Sequence, residues 1–335
     1  MTVQKSNISI PDAIDLLTRA FAANDVSQDN AVSVATALVL AEAEGQVGHG
    51  FSRVSDYIAQ AKTGKIQGFA IPKIAHDAPS AITIDAGCGF AYPALDLAIQ
   101  EGTERAADTG IASMSIMNSH HCGALSLQVE KIAQAGMIGI MMANAPAAIA
   151  PWGSKRAMFG TNPIAFSAPR PNEAPLVIDL SLSVVARGKV MNAKKTGQPI
   201  PEGWALDKDG NPTTDPVAAL EGTMNPIGGA KGTALALMVE ILSATLSGAN
   251  YSTEMSSYFT ADGPSPASGQ FFLALKPQNS AHFADRLEVL LNDIADTPGA
   301  RLPGTRRITA REAAHKNGLL VPTDYITQAQ ELAQG

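Results

Sequence analysis

The sequence predicts an α/β protein, α+β-like in arrangement, from three observations. From about residue 80, short apolar runs alternate with stretches of helical period, while the segments before and after are amphipathic and helical. Hydrophobic residues make up 45% of the 335 residues, against 16% charged. That balance describes a globular chain long enough for one large or two modest domains with a sizeable core.

Ser9 followed by Asp12 forms a capping box, Pro11 suits a first helical turn, and Ile14, Leu17 and Phe21 share a face. A second helix is expected after Ser27, turning Val32, Ala35, Leu38 and Val39 inward and ending near Glu44-Gly45. A third is expected between Ser52 and Lys62, before the breakers Gly64, Gly68 and Pro72. Strands are expected at 81–85, 111–117, 137–142 and 176–179, with helices over 93–109 and 125–135 between them. The stretch 231–246 is apolar nearly all round except for Glu240, so it reads as a buried helix. A strand at 270–275, a helix at 282–295 and a long loop at 197–216 complete the reading. The expected division is a helical N-terminal part (1–75), a sheet domain (76–280) and a C-terminal helical part (281–335) packing back on the first.

A net charge of -7 and the absence of a basic stretch exclude nucleic acid as the main partner. Two cysteines, Cys88 and Cys122, provide no disulfide framework, which fits a reducing, cytoplasmic setting. Met1–Ser6 lacks the apolar core of a secretory signal. The uncharged stretch 132–154 is interrupted by Gln134, Gly136, Gly139, Asn144, Pro146 and Pro151, and reads as a buried strand with turns, so no membrane partner is expected. No Gly-x-Gly-x-x-Gly follows a predicted strand, and no phosphate-loop, His-Glu-x-x-His or Gly-x-Ser-x-Gly motif occurs.

Several groups could carry chemistry. His49 lies between two glycines, and a helix starting near Gly50 would set Arg53 and Tyr57 on one face with His49 at its mouth. A histidine able to deliver a proton beside an arginine able to grip a carboxylate suits a small organic acid. A locally bonded histidine and a solvated arginine are the alternative. His120-His121-Cys122 could all bind zinc, but neighbours on a strand point to opposite faces and no nearby ligand completes a set, so no metal is expected. One imidazole in a ligand site and a satisfied core histidine are the two readings. Asp179-Leu180-Ser181 ends a strand, where the carboxylate could accept ribose hydroxyls or cap the next helix, and Arg187 and Lys189 follow. Gly228-Gly229-Ala230-Lys231-Gly232 opens a helix and could hold an anion. Arg301, Arg306 and Arg307 share a turn that is either solvated or a clamp on a pyrophosphate or 2′-phosphate.

Ala150-Pro151-Trp152-Gly153, Gly160-Thr161-Asn162-Pro163, Ala186-Arg187-Gly188-Lys189, Ile200-Pro201-Glu202-Gly203-Trp204-Ala205-Leu206-Asp207 and Thr213-Thr214-Asp215-Pro216 occur in order along the chain. Together with the His49 and His121 segments they resemble the malate/L-lactate dehydrogenase family of non-Rossmann oxidoreductases. The resemblance implies a homodimer and a nicotinamide-binding domain on a mostly antiparallel mixed sheet, which accounts for the missing glycine fingerprint. The arginine turn suggests NADP(H) as the preferred cofactor, with NAD(H) as the alternative, since the same turn could equally serve the pyrophosphate of NADH. His49 is then the proton donor, Arg53 the substrate-carboxylate ligand and His121 a further catalytic residue. The cofactor is expected against His121, Cys122, Gly123, Ala124, Leu125, Asp179, Leu180, Ser181, Lys231, Arg301, Gly304, Arg306 and Arg307. The substrate is expected against Arg53, Tyr57, Thr161, Arg187 and Gly188. The chain departs from the commoner Ser-His-Gly in having Gly48-His49-Gly50, which looks most like the Δ1-pyrroline-2-carboxylate and Δ1-piperideine-2-carboxylate reductases. The leading expectation is therefore NAD(P)H-dependent reduction of a cyclic imino acid to L-proline or L-pipecolate, because a ring iminium already accepts hydride well. A 2-hydroxy acid dehydrogenase and a catalytically idle ligand-binding protein on the same fold are the alternatives.

Overall fold

The ends of the chain lie side by side. The computed structural model describes residues 4–335, so Met1–Val3, the start of the segment read for a signal, lies outside the described residues. Strand β1 (Lys5–Ile8) leads into α1 (Ile10–Ala22), whose N-cap Ser9 accepts from the Asp12 amide at 3.2 Å. Helix α2 (Gln28–Ala43) is capped in the same way by Ser27, and α3 (Val54–Lys62) follows two 3₁₀ turns. These caps satisfy amides that the first helical turn leaves without partners.

The chain then builds one mixed sheet. Its strands are β2 (Lys73–Ala78), β3 (Ala81–Asp85), β4 (Ile111–Ser119), β5 (Ile138–Ala143), β6 (Ile164–Ala168) and β7 (Leu176–Leu180), with α4 (Ala91–Thr109) and α5 (Leu125–Gln134) between them. Further on come α6 (Arg187–Thr196), β8 (Ala205–Leu206), β9 (Pro212–Thr213), α7 (Pro216–Glu221), β10 (Thr223–Met224) and α8 (Ala230–Glu240). Strand β11 (Ser268–Leu275) returns to the centre of the seven-stranded sheet, whose order is β2-β3-β4-β11-β5-β6-β7. Only β3 and β4 pair in parallel; every other pair in it is antiparallel. Phe272 of β11 faces Met114 and Met141 on its two neighbours, and all three are fully buried. Helices α9 (Ser280–Asp296) and α10 (Thr305–Asn317), strand β12 (Leu319–Pro322) and α11 (Thr323–Leu332) close the chain, with β12 antiparallel to β1.

One apolar core joins α1, α2 and α4 to the sheet and to Leu319, Val321, Ile326 and Ala329 near the C-terminus. A second core, including Ile149, Phe159, Leu182, Val190, Ile200 and Val239, holds the segments between β5 and α8.

Three expectations are corrected. The expected loop at 197–216 contains β8 and β9, which form a small sheet with β10. The helix expected to be buried over 231–246 is α8 continued by a π-helical turn at Ile241–Thr245, and it leaves Leu235, Leu237, Met238 and Ile241 exposed. Its composition has no preferred face, so only the contacts of the fold select Gly232, Ala236, Val239 and Glu240 as the inward side. The arginine turn is half helix: Gly304, at φ +81°, is the N-cap of α10, and Arg306 and Arg307 lie in its first turn.

Arg307 is buried in an ion cluster. Its Nη1 lies 2.6 Å from Glu44 Oε1 and 2.6 Å from Glu130 Oε2, while Arg311 reaches Glu130 at 2.9 Å. The cluster ties the end of α2 to α5 and α10. Removing one partner of a buried pair leaves an uncompensated charge. Arg307→Leu is therefore expected to lower stability by about 3–5 kcal/mol in urea unfolding. A loss under about 1 kcal/mol would show that water already satisfies these carboxylates.

Candidate active site

After α2 the chain must turn sharply over a buried acid. The Phe51 amide donates to Glu42 Oε2 at 3.0 Å, and a Cβ at Gly50 would stand 2.1 Å from that oxygen, so only glycine passes. The two 3₁₀ turns that result bring His49 and Arg53 into one cavity of about 660 Å³. Arg53 Nε donates to the Gly48 carbonyl at 2.7 Å, and its guanidinium lies 4.5 Å over the Phe259 ring. Burial, with the Arg53 charge second, pushes the His49 pKa down to about 4, and His49 Nδ1 is buried without a partner among the described residues.

The two adjacent histidines diverge beyond the end of β4. His120 is fully buried and its Nε2 lies 2.9 Å from Gln60 Oε1. His121 lines the cavity, its ring stacked on His49 with centroids 5.2 Å apart and planes 19° apart. Burial, Arg53 and the neighbouring imidazoles hold His121 well below the usual histidine range. Tyr57 does not share the cavity wall with Arg53. Arg53 precedes α3 in a 3₁₀ turn, so the four-residue helical relation fails; Tyr57 is fully buried behind His121, with its hydroxyl 2.5 Å from His121 Nδ1.

Cys122, Gly123, Ala124 and Leu125 continue the wall, followed by Thr161, Asp179, Leu180, Ser181, Arg187 and Gly188. Gly123 has φ +67°, and a Cβ there would approach the Tyr92 hydroxyl to 2.7 Å. Burial pushes the Cys122 thiol up to about 12, so it is no nucleophile near neutral pH. Asp179 Oδ2 accepts the Ser126 amide at 2.8 Å; it caps α5, an earlier helix, and not the one that follows it.

Asp179 and Gln46 also line a second cavity of about 500 Å³, together with Glu44, Ser126 and the turn from Arg301 to Arg307. Arg301, Gly304 and Arg306 thus lie together. Arg307 lines this cavity too, yet its Nη1 is committed to Glu44 and Glu130 while Nε and Nη2 are buried without partners. Lys231 stands apart: it is exposed on α8 and lines neither cavity. Among the described residues no group of three or more His, Cys, Asp or Glu could hold a metal ion.

Sequence reasoning missed two walls, Asn144–Ala148 and the segment from Ser252 to Phe259. Both are held in place by groups distant in the sequence. Glu240 takes the Ser252 amide, and Lys65 Nζ donates to the carbonyls of Ser257, Thr260 and Asp262 at 2.7, 2.9 and 2.9 Å. The one available signal was Glu240, a lone acid in an apolar helix.

The profile of the malate/L-lactate dehydrogenase family matches residues 8–330. A (2R)-3-sulfolactate dehydrogenase (NADP(+)) of Chromohalobacter salexigens is 46% identical over 308 residues, 91% of each chain. A Δ1-pyrroline-2-carboxylate/Δ1-piperideine-2-carboxylate reductase of Pseudomonas syringae pv. tomato is 36% identical over 97% of this chain and 96% of its own. The crystal structure of the Δ1-piperideine-2-carboxylate reductase from the same organism superposes with a TM-score of 0.93, at 36% identity, covering 98% of this chain and 99% of that one. The chain belongs to the malate/L-lactate dehydrogenase family, and it is an oxidoreductase with that family's mixed-sheet fold.

Burial lowers the His120 pKa from 6.5 to about 3. Between those values the unfolded chain binds more protons than the folded one, so His120 makes stability fall as pH drops from 6.5 towards 3. Relative to His120→Gln, the urea midpoint of the wild-type protein is expected to lose more, or gain less, between pH 7 and pH 5. Equal slopes would show that His120 accepts charge freely in place.

Proposed function

We propose that this protein transfers hydride between NADP(H) and C2 of a small 2-oxo or 2-hydroxy acid that carries a second anionic group. The observation behind this reading is the charge of the cavity. Arg53 and Arg187 both line it, and among the described residues neither is ion-paired. Burial lowers the Arg187 pKa, the mark of a cation without a partner. The only carboxylate on the wall, Asp179, is engaged by the Ser126 amide. Two guanidinium groups facing inward suit a dianion, whose two charges they can each bind in a fork. The Chromohalobacter relative is named for sulfolactate, an acid with a carboxylate and a sulfonate.

The residues fit a two-part nicotinamide cofactor. Two cavities adjoin at Gln46 and Asp179, one with the stacked imidazoles and the other with Arg301 and Arg306, whose guanidinium groups suit phosphate oxygens. When bound, the nicotinamide supplies or accepts the hydride. Arg53 then grips the C1 carboxylate, Arg187 takes the second anion, and His49 protonates the oxygen that becomes an alkoxide at C2. An anion beside Arg53 offsets the repulsion that helps to keep free His49 neutral, so substrate binding raises its proton affinity.

A cyclic imino acid remains the second reading. The apolar wall of Ala145, Pro146, Ala147, Met255 and Phe259 suits a ring, and the reductases of Pseudomonas syringae support it. An iminium, however, brings positive charge to a cavity that already holds two cations.

The test is the loss of near-ultraviolet absorbance as NADPH is oxidised with 3-sulfopyruvate, oxaloacetate, pyruvate, Δ1-pyrroline-2-carboxylate and Δ1-piperideine-2-carboxylate. The highest kcat/KM is expected for a dianion; preference for the cyclic imines would replace this reading with the second. Arg187→Met is expected to raise KM for the dianions by about ten- to a hundredfold, as befits a lost charge-assisted bond, and to change pyruvate little. Equal effects on both would remove Arg187 from the second anion.

A further inference from the structure

The hydrogen bonds behind His121 fix where its proton sits. His121 Nδ1 meets the Tyr57 hydroxyl at 2.5 Å, and that hydroxyl lies 3.3 Å from the hydroxyl of Tyr92. Tyr57 and Tyr92 are 0% and 3% exposed, and among the described residues the Tyr92 hydroxyl has no other partner. Two arrangements of protons are possible along this chain of three atoms. If His121 donated from Nδ1, then whichever tyrosine donated to the other, one phenol proton would be buried with nothing to accept it. If Tyr92 donates to Tyr57 and Tyr57 donates to His121 Nδ1, every proton is placed and only a hydroxyl lone pair is left over. A buried orphan donor costs more than an unused lone pair on a hydroxyl oxygen that already donates. The second arrangement holds.

We propose that Tyr57, backed by Tyr92, is a positioning residue that holds His121 as the Nε2–H tautomer and so presents a fixed hydrogen-bond donor to the cavity. Nδ1 is occupied, and Nε2 is the ring nitrogen without a protein partner in a side chain that lines the cavity beside His49. For the reaction, this proposal rests on the hydride-transfer reading given above. A neutral N–H next to the proton donor stabilises an oxygen that gains negative charge, and it does so at any pH at which the tautomer is held. Its contribution grows as charge develops, so it acts on kcat more than on KM.

The tautomer can be read without turnover. In the full-length, ligand-free protein labelled with ¹⁵N-histidine, His121 is expected to show a pyridine-type Nδ1 and a pyrrole-type Nε2, assigned by the signal lost in His121→Asn. Tyr57→Phe is expected to move Nδ1 towards the pyrrole type and to lower kcat by about ten- to a hundredfold, the usual cost of losing a group that orients a functional histidine, with KM nearly unchanged. Tyr92→Phe keeps the Tyr57 donor and is expected to keep the tautomer. A pyrrole-type Nδ1 in the wild-type protein overturns the proposal, and that result stands even if Tyr57→Phe fails to fold. An unchanged His121 spectrum in a folded Tyr57→Phe protein overturns it as well. The expected tautomers with no turnover of any acid would overturn the hydride-transfer reading and leave the positioning role supported.

Discussion

The carboxylate of Glu240 is the constraint on which the cavity depends. It is 5% exposed and, among the described residues, has no cationic partner. Its charge is met by four donors: the Ser252 amide at 2.6 Å, the Ser252 hydroxyl at 2.8 Å, Asn162 Nδ2 at 2.9 Å and Asn144 Nδ2 at 3.4 Å. An unpaired buried charge is tolerated only with such a shell. The three donor segments are the ones that continue into the cavity floor, at Ala145, Thr161 and Thr253. Their spacing is therefore set by one acid at the end of α8. The helix widens into a π turn directly after it, a departure from α geometry that often accompanies functional sites.

The far end of the Ser252–Phe259 wall is held by the same kind of bond with the charge reversed. Lys65 is 3% exposed and donates to three backbone carbonyls of the segment carrying Tyr258 and Phe259. Gln60 donates to the Tyr258 carbonyl and meets His120 with its other atom, so one side chain joins the loop to the end of β4. Glu42 secures the turn that presents His49. A rigid scaffold with loops fixed by buried polar groups keeps donors where a small substrate needs them, at the cost of sites that tolerate no loss of a partner.

Legibility in the sequence followed the range of the cause. Caps at Ser9 and Ser27, the strand at 81–85 and the helix opening at Leu125 depend on neighbours within a few residues, and the periodicity shows them. The segments around His49 and His121 were legible because unusual residues cluster there. Arg307 and Lys231 were not, since nothing local records that Arg307 meets Glu44 and Glu130, 263 and 177 residues away, or that α8 turns its first residues to solvent. Tyr57 lies on the expected segment but stands behind His121 and off the cavity wall. Two 3₁₀ turns before α3 rotate it away from Arg53, and those turns come from the close pass of Gly50 over Glu42.

The charge of the cavity links these devices to the substrate. Its imidazoles are kept neutral by burial and by Arg53, and its thiol is kept protonated by burial. The positive charge thus resides in Arg53 and Arg187, while the groups that could exchange protons stand in their uncharged forms. Such a site binds an anion before it can charge a histidine, because each negative group that enters cancels repulsion felt by His49. On the proposed reading, this arrangement couples binding to proton uptake, and a cationic ligand would work against both. On that reading, the two guanidinium groups select for the charge of the substrate before any contact can select for its shape.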